Sequence, residues 1–317
     1  MQNQAVKVNE LQGVYTALIT PMQEDGSIDY RKLDMLIDDQ VVAGIDGVLA
    51  CGTTGQSATL SHDEHADLAE HIFNYVNGRV RVMVSAGSNS TTEAKALSKE
   101  IESRIGPTTF LHVTGYYNNP PQEGLIAHYS AVADAIGPDS NVILYNVPGR
   151  TKSNIEAETA IVLAENPRII GIKEASGNLE QVEKIIQDTD SNSFRVMSGE
   201  DDLVVKIMEM GGFGVISATA NVAPGYFAKM VQTALEGRYE EAHKMQQYVN
   251  PLVKQGIFLA KNPIPLAHMF NTNVRLPLVK LPRIEERLRR TSAMFGAEEL
   301  GIDLTKYQKL YEEIGKI

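Results

Sequence analysis

Lys173 ends the run Ile169-Ile170-Gly171-Ile172-Lys173, so an amine follows four uncharged residues. A charge at the end of a buried strand is costly. A free lysine, with a pKa near about 10.4, is neutral in only roughly one molecule in 2,500 at pH 7. Burial lowers that pKa and makes the amine nucleophilic toward a carbonyl carbon. A structural lysine paired with a carboxylate, with Glu174 next door, is the competing reading. Hydroxyls after other apolar runs favour chemistry. Adding an amine to a carbonyl, expelling water and forming an enamine each move protons, and Tyr145, Thr54 and Tyr117 form a candidate relay. Singly, each tyrosine also fits a core residue with a satisfied hydroxyl. Thr53 and Thr54 lie in the turn Gly52-Thr53-Thr54-Gly55, whose N–H groups and hydroxyls suit a carboxylate. The turn lacks the lysine of a nucleotide-binding loop. Arg150 follows Pro148-Gly149, and its planar fork suits a second carboxylate, although a surface arginine is the plainer reading. His62-Asp63-Glu64-His65 carries metal-ligating types but not the HExxH spacing. It reads better as a polar helix start or an effector site than as a metal site.

Eight short apolar runs position these residues: 14–19, 47–51, 80–86, 109–113, 142–145, 169–173, 195–197 and 214–216. Amphipathic stretches separate them at 29–43, 63–76, 92–104, 122–136, 155–165, 179–189 and 202–210. Ser61, three residues before Glu64, resembles a capping box. This alternation predicts a parallel (β/α)8 TIM barrel over residues 1–223. An open doubly wound sheet would want a glycine-rich fingerprint after the first run, and Val14 to Pro21 has none. From residue 224 to 317 the pattern turns helical, which predicts C-terminal helices that complete and extend the barrel. Barrel chemistry sits where strands end, and every residue singled out above follows such an end.

The chain has 317 residues and a net charge of −11, which disfavours nucleic acid and anionic membrane as partners. Its single cysteine, Cys51, excludes an internal disulfide and a cysteine-rich zinc site and fits a reducing cytoplasm. The first ten residues lack a signal-peptide core, and no stretch approaches the roughly 20 apolar residues of a membrane span.

The segments GTTGQSATLSHDEHAD, YYNNPPQEGL, ILYNVPGRT, IIGIKEASGNL, MSGEDD, GGFGVISATANVAP, NPIP and VRLP resemble the dihydrodipicolinate synthase (4-hydroxy-tetrahydrodipicolinate synthase) family of the N-acetylneuraminate lyase superfamily. They run from about residue 13 to 282, in that family's order and spacing. The resemblance implies a class I lyase in which Lys173 forms a Schiff base with pyruvate. It implies a proton relay of Tyr145, Thr54 and Tyr117, the last supplied by a neighbouring subunit. Thr53 and Thr54 would hold the pyruvate carboxylate. Arg150 would hold the carboxylate of aspartate 4-semialdehyde, and Gly199 and Ile216 would shape the pyruvate pocket. No cofactor or metal is implied, because the protonated imine is the electron sink. A homotetramer built as a dimer of dimers and a place in the diaminopimelate route to lysine follow. Feedback inhibition by lysine at Ser57, Ala58, His62, His65, Asn89, Glu93 and Tyr116 is the matching regulatory expectation. A sister pyruvate aldolase acting on a sugar acid is the nearest alternative, and Arg150 argues against it. A non-catalytic sensor is disfavoured by the intact set of five reactive positions. Two positions depart from the family: Gln56 stands where glutamate is usual and Gly115 where proline is usual.

Overall fold

The computed structural model describes residues 5–284 and 286–288. Eight parallel strands form a closed barrel: β1 (Gly13–Ala17), β2 (Gly47–Ala50), β3 (Arg81–Ser85), β4 (Thr109–Val113), β5 (Asn141–Asn146), β6 (Ile169–Glu174), β7 (Arg195–Ser198) and β8 (Gly214–Ser217). Closure comes from β1 pairing with both β2 and β8. Buried on both faces, the strands are apolar almost throughout. One set of side chains fills the barrel, including Tyr15, Leu49, Met83, Leu111, Ile143, Met197 and Ile216. The other set, such as Val48, Val84, Leu144 and Ile172, packs against the outer helices. Alternation along each strand makes this division.

The helices start where short polar side chains satisfy free backbone N–H groups. Asp29, Ser90 and Asn178 cap the helices Tyr30–Val42, Thr91–Ile105 and Leu179–Asp188. Ser61 and Glu64 form the expected reciprocal capping box on His62–Val76. Residues 5–12 close the far end of the barrel, with Val6 tied to Thr109 and Asn141. After β8 the described elements are helical: Pro224–Leu235, Tyr239–Pro251, a wide turn over Leu252–Ile257, and Ile264–Met269. A strap beyond them returns to the barrel mouth, where Arg275 makes a two-pronged ion pair with Glu64. The expected extension from 289 to 317 lies outside the described residues.

Candidate active site

Strand register assembles the centre. Tyr145 on β5, Lys173 on β6 and Met197 on β7 are in-register neighbours and face the barrel interior. Lys173 is buried, and its Nζ sits 4.4 Å from the centre of the Tyr145 ring. Burial lowers the Lys173 pKa to about 8, against the opposing pull of Asp201 and Glu200, while Arg150 lowers it further. That shift raises the neutral fraction at pH 7 roughly 300-fold.

Glu174 is not the partner of Lys173. As the next residue on the strand it points the other way, into the helix layer. There Asn146 donates to both its oxygens, Ser176 N–H donates at 2.7 Å and Gln181 at 3.0 Å. Among the described residues, the lysine therefore has no directly bonded carboxylate to hold its charge.

After β2 the chain turns through Cys51 at φ 54°, and the two threonines diverge. The Thr53 hydroxyl lies close to that of Tyr145 and draws its pKa down. The Thr54 hydroxyl instead accepts from Asn262 Nδ2 at 2.9 Å. The sequence assigns the relay to Thr54; the threonine nearer the Tyr145 hydroxyl is Thr53. Burial raises the Tyr145 pKa, while Arg150 and Thr53 pull it down, so the phenol stays protonated near neutral pH.

Lys173, Tyr145, Thr53, Thr54, Arg150, Gly199 and Ile216 all line one cavity of ≈ 700 Å³. At Gly199 an added Cβ would lie 3.1 Å from Lys173 Cε and 2.6 Å from Ala175 Cβ, so only glycine leaves the amine its space. Arg150, on the single helical turn Pro148–Thr151, donates to the Asn262 carbonyl at 3.2 Å and keeps its other donors free for a ligand. Asn262 thus ties Thr54 to Arg150, and its buried Oδ1 has no partner. It opens the NPIP segment of the sequence, where no role is assigned to it.

Tyr117 is the exception. It is 95% exposed, holds φ at 74° and does not line the cavity. A tyrosine in that backbone region is strained. Gly115, by contrast, is buried against Pro120 and needs no positive φ.

Six of the seven residues expected to bind lysine, all but Asn89, line the same cavity. The Asn89 carbonyl accepts from Asn118 at 3.3 Å, in the loop beside Tyr117. Ser88 donates to Glu93 at 2.6 Å. His65 is buried with Nε2 on the Ser85 carbonyl at 2.7 Å, and burial lowers its pKa. His62 is exposed. Gln56 uses both ends of its amide: Nε2 faces the Thr20 carbonyl and Oε1 accepts from Arg275 N–H at 2.9 Å. A carboxylate lacks the first of those donors, which accounts for glutamine here.

A profile of the dihydrodipicolinate synthetase family matches residues 10–285. The chain belongs to that family. Relatives of the family extend the match. The 4-hydroxy-tetrahydrodipicolinate synthase of Methanocaldococcus jannaschii is 41% identical over 283 residues, 87% of this chain and 95% of its own. Dihydrodipicolinate synthase from Acinetobacter baumannii, solved in complex with pyruvate, superposes with a TM-score of 0.85 at 35% identity, over 92% of this chain and 100% of that one. The enzyme from Cyanidioschyzon merolae, solved with lysine bound, gives 0.85 at 36% identity, over 90% and 99%. As a family member the chain is a lyase of lysine biosynthesis.

Proposed function

We propose that this chain is a 4-hydroxy-tetrahydrodipicolinate synthase that condenses pyruvate with L-aspartate 4-semialdehyde through a Schiff base on Lys173. The observation that carries the reading is a buried lysine with a pKa near about 8, set among hydroxyls at the mouth of a barrel. The neutral amine attacks the pyruvate ketone. Tyr145 donates the proton that lets the hydroxyl leave as water, and Thr53 connects Tyr145 to the next carrier. The pyruvate carboxylate rests on the Gly52–Gly55 turn, held by Thr54 and adjacent N–H groups. Loss of a methyl proton from the imine gives an enamine, which adds to the aldehyde carbon. Arg150 takes the carboxylate of the incoming aldehyde. Ring closure through the substrate nitrogen then releases Lys173.

Tyr117 completes the relay from a neighbouring subunit. Its exposure and strained backbone support insertion into a partner rather than into its own cavity. The assembly is a dimer of dimers in this reading. Lysine binds beside the tyrosine loop, among Ser57, Ala58, His62, His65, Asn89, Glu93 and Tyr116, and inhibits; the lysine-bound relative supports this. A single buried thiol, Cys51, agrees with a cytoplasmic setting.

The test is initial-rate turnover of pyruvate with aspartate semialdehyde, coupled to the following reductase, with and without millimolar lysine. Turnover suppressed by lysine supports both the synthase and its regulation. Turnover indifferent to lysine removes the regulation alone. Borohydride trapping of pyruvate at Lys173 without turnover moves the chain to another pyruvate aldolase.

A further inference from the structure

Three carboxyl groups lie near Lys173 in sequence or in space, and two are engaged. Glu174 is held by Asn146, Ser176 and Gln181. Asp201 is buried, and its Oδ2 accepts from Thr219 N–H at 2.7 Å and Thr219 Oγ1 at 2.5 Å. Glu200 is different. It lines the cavity with Lys173 and Arg150, and among the described residues no group hydrogen-bonds or ion-pairs with its carboxylate. Its backbone is nevertheless fixed, because the Ser198 hydroxyl donates to its carbonyl at 2.8 Å and accepts from its N–H at 3.2 Å.

A half-buried carboxylate without a partner is unfavourable unless a ligand supplies one. The reading above brings a ligand with three handles: a carboxylate, an aldehyde and an ammonium group. Arg150 meets the first, and the enamine on Lys173 meets the second. Two acids line the cavity, and Ser88 already engages Glu93 at the other end. That leaves Glu200 for the ammonium. We propose that Glu200 receives the α-amino group of the aldehyde substrate and removes its proton, readying that nitrogen to displace Lys173.

This step rests on the proposed synthase activity. Glu200 takes one proton from the ammonium. The freed electron pair on nitrogen forms a bond to the protonated imine carbon. One proton then passes from that nitrogen to Nζ, and the bond between the carbon and Nζ breaks with its pair going to Nζ. Lys173 leaves as a neutral amine, the ring nitrogen carries the imine, and the proton on Glu200 returns to solvent. Burial, with Asp202 and Asp201 adding repulsion, lifts the Glu200 carboxyl to about 7, while Lys173 pulls it down and Glu174 pushes it up. Asp202 is paired with Lys254 at 3.1 Å. A base of that strength is matched to proton transfer near neutrality.

The experiment compares wild type, Glu200→Gln and Glu200→Asp in three assays: borohydride trapping of pyruvate on Lys173, kcat/KM for aspartate semialdehyde, and competitive inhibition by succinate semialdehyde, which lacks the amine. Glu200→Gln should trap pyruvate as wild type does and bind succinate semialdehyde within about twofold. It should lose roughly 100-fold in kcat/KM for the true substrate, together with the acidic limb of its pH profile near 7. Glu200→Asp should recover part of the loss. An indifferent Glu200→Gln overturns the inference, and so does an equal loss toward substrate and amine-free analogue. Failure of wild type itself to trap pyruvate overturns the underlying activity, and this inference with it.

Discussion

The strand-end wall and the tyrosine loop stand at opposite extremes of preparation. On the wall, Tyr145 and Lys173 are buried and held in barrel register, and Gly199, just beyond β7, packs against the Lys173 stem. The loop following β4 presents Tyr116 and Tyr117 to solvent, with Tyr117 and Asn119 both at positive φ. The wall is finished within one chain. The loop holds a strained shape, and Tyr117 does not line the cavity of its own chain. Strain in a native fold persists where surrounding structure imposes it, and it gathers at functional positions. In this reading one subunit makes the nucleophile and lends its neighbour a proton carrier.

The largest effect tests the wall. Lys173→Ala should remove the borohydride-trapped pyruvate adduct and lower kcat by about 1,000-fold or more, because Lys173 is the buried amine in register with Tyr145. Retention of the adduct would move the nucleophile elsewhere. Next, Tyr117→Phe should lower kcat by about 100-fold while pyruvate trapping continues. Dimers randomly assembled from Tyr117→Phe and Lys173→Ala chains should then regain about a quarter of wild-type activity, since half the dimers are mixed and each mixed dimer rebuilds one intact site. Absence of that complementation would confine Tyr117 to its own chain.

A pH dependence sharpens the account of the wall. The reactive form of Lys173 is neutral, and burial brings its pKa down to about 8. Imine formation with pyruvate, followed by stopped-flow absorbance, should therefore rise about tenfold per pH unit below 8 and level off above it. A continued rise toward pH 10 would mean that the amine is not desolvated.

The smallest effect concerns the strap over the mouth. Arg275 holds the Glu64 carboxyl at about 2, below its ordinary 4.5. A depressed carboxylate pKa stabilises the fold above the unfolded value and loses that contribution as pH falls through the folded one. Because Glu64 is partly exposed, the pair contributes at most about 1 kcal/mol. Arg275→Met should lower Tm by a few degrees at pH 7, and the difference from wild type should fade between about pH 4.5 and 2. An unchanging gap would trace the loss to the backbone ties of Arg275 instead.

The barrel was legible because its strands are apolar runs at regular spacing, and Lys173 stood out because it ends one of them. The identity of its neighbours was less so. Strand alternation already argues that Glu174 faces away from Lys173. The division of labour between Thr53 and Thr54 depends on how the chain leaves β2 at Cys51, and a flat reading of GTTG does not carry that turn. Glu200 lies in the segment MSGEDD but was not singled out, because what distinguishes it is a missing bond, a property only three dimensions reveal. Asn262 is remote in sequence from every group it joins, and Gln56 departed from the family pattern for a reason found across the mouth, at Arg275.

The tie from Asn262 to Thr54 and Arg150 also bears on when the molecule becomes competent. The barrel has all its strands once β8 has been made, but the residue that fixes one wall of the cavity is translated dozens of positions later. At roughly 5–20 residues per second, that is an interval of several seconds on the ribosome. The cavity wall carrying Thr54 and Arg150 is therefore braced only after residue 262 has joined the barrel.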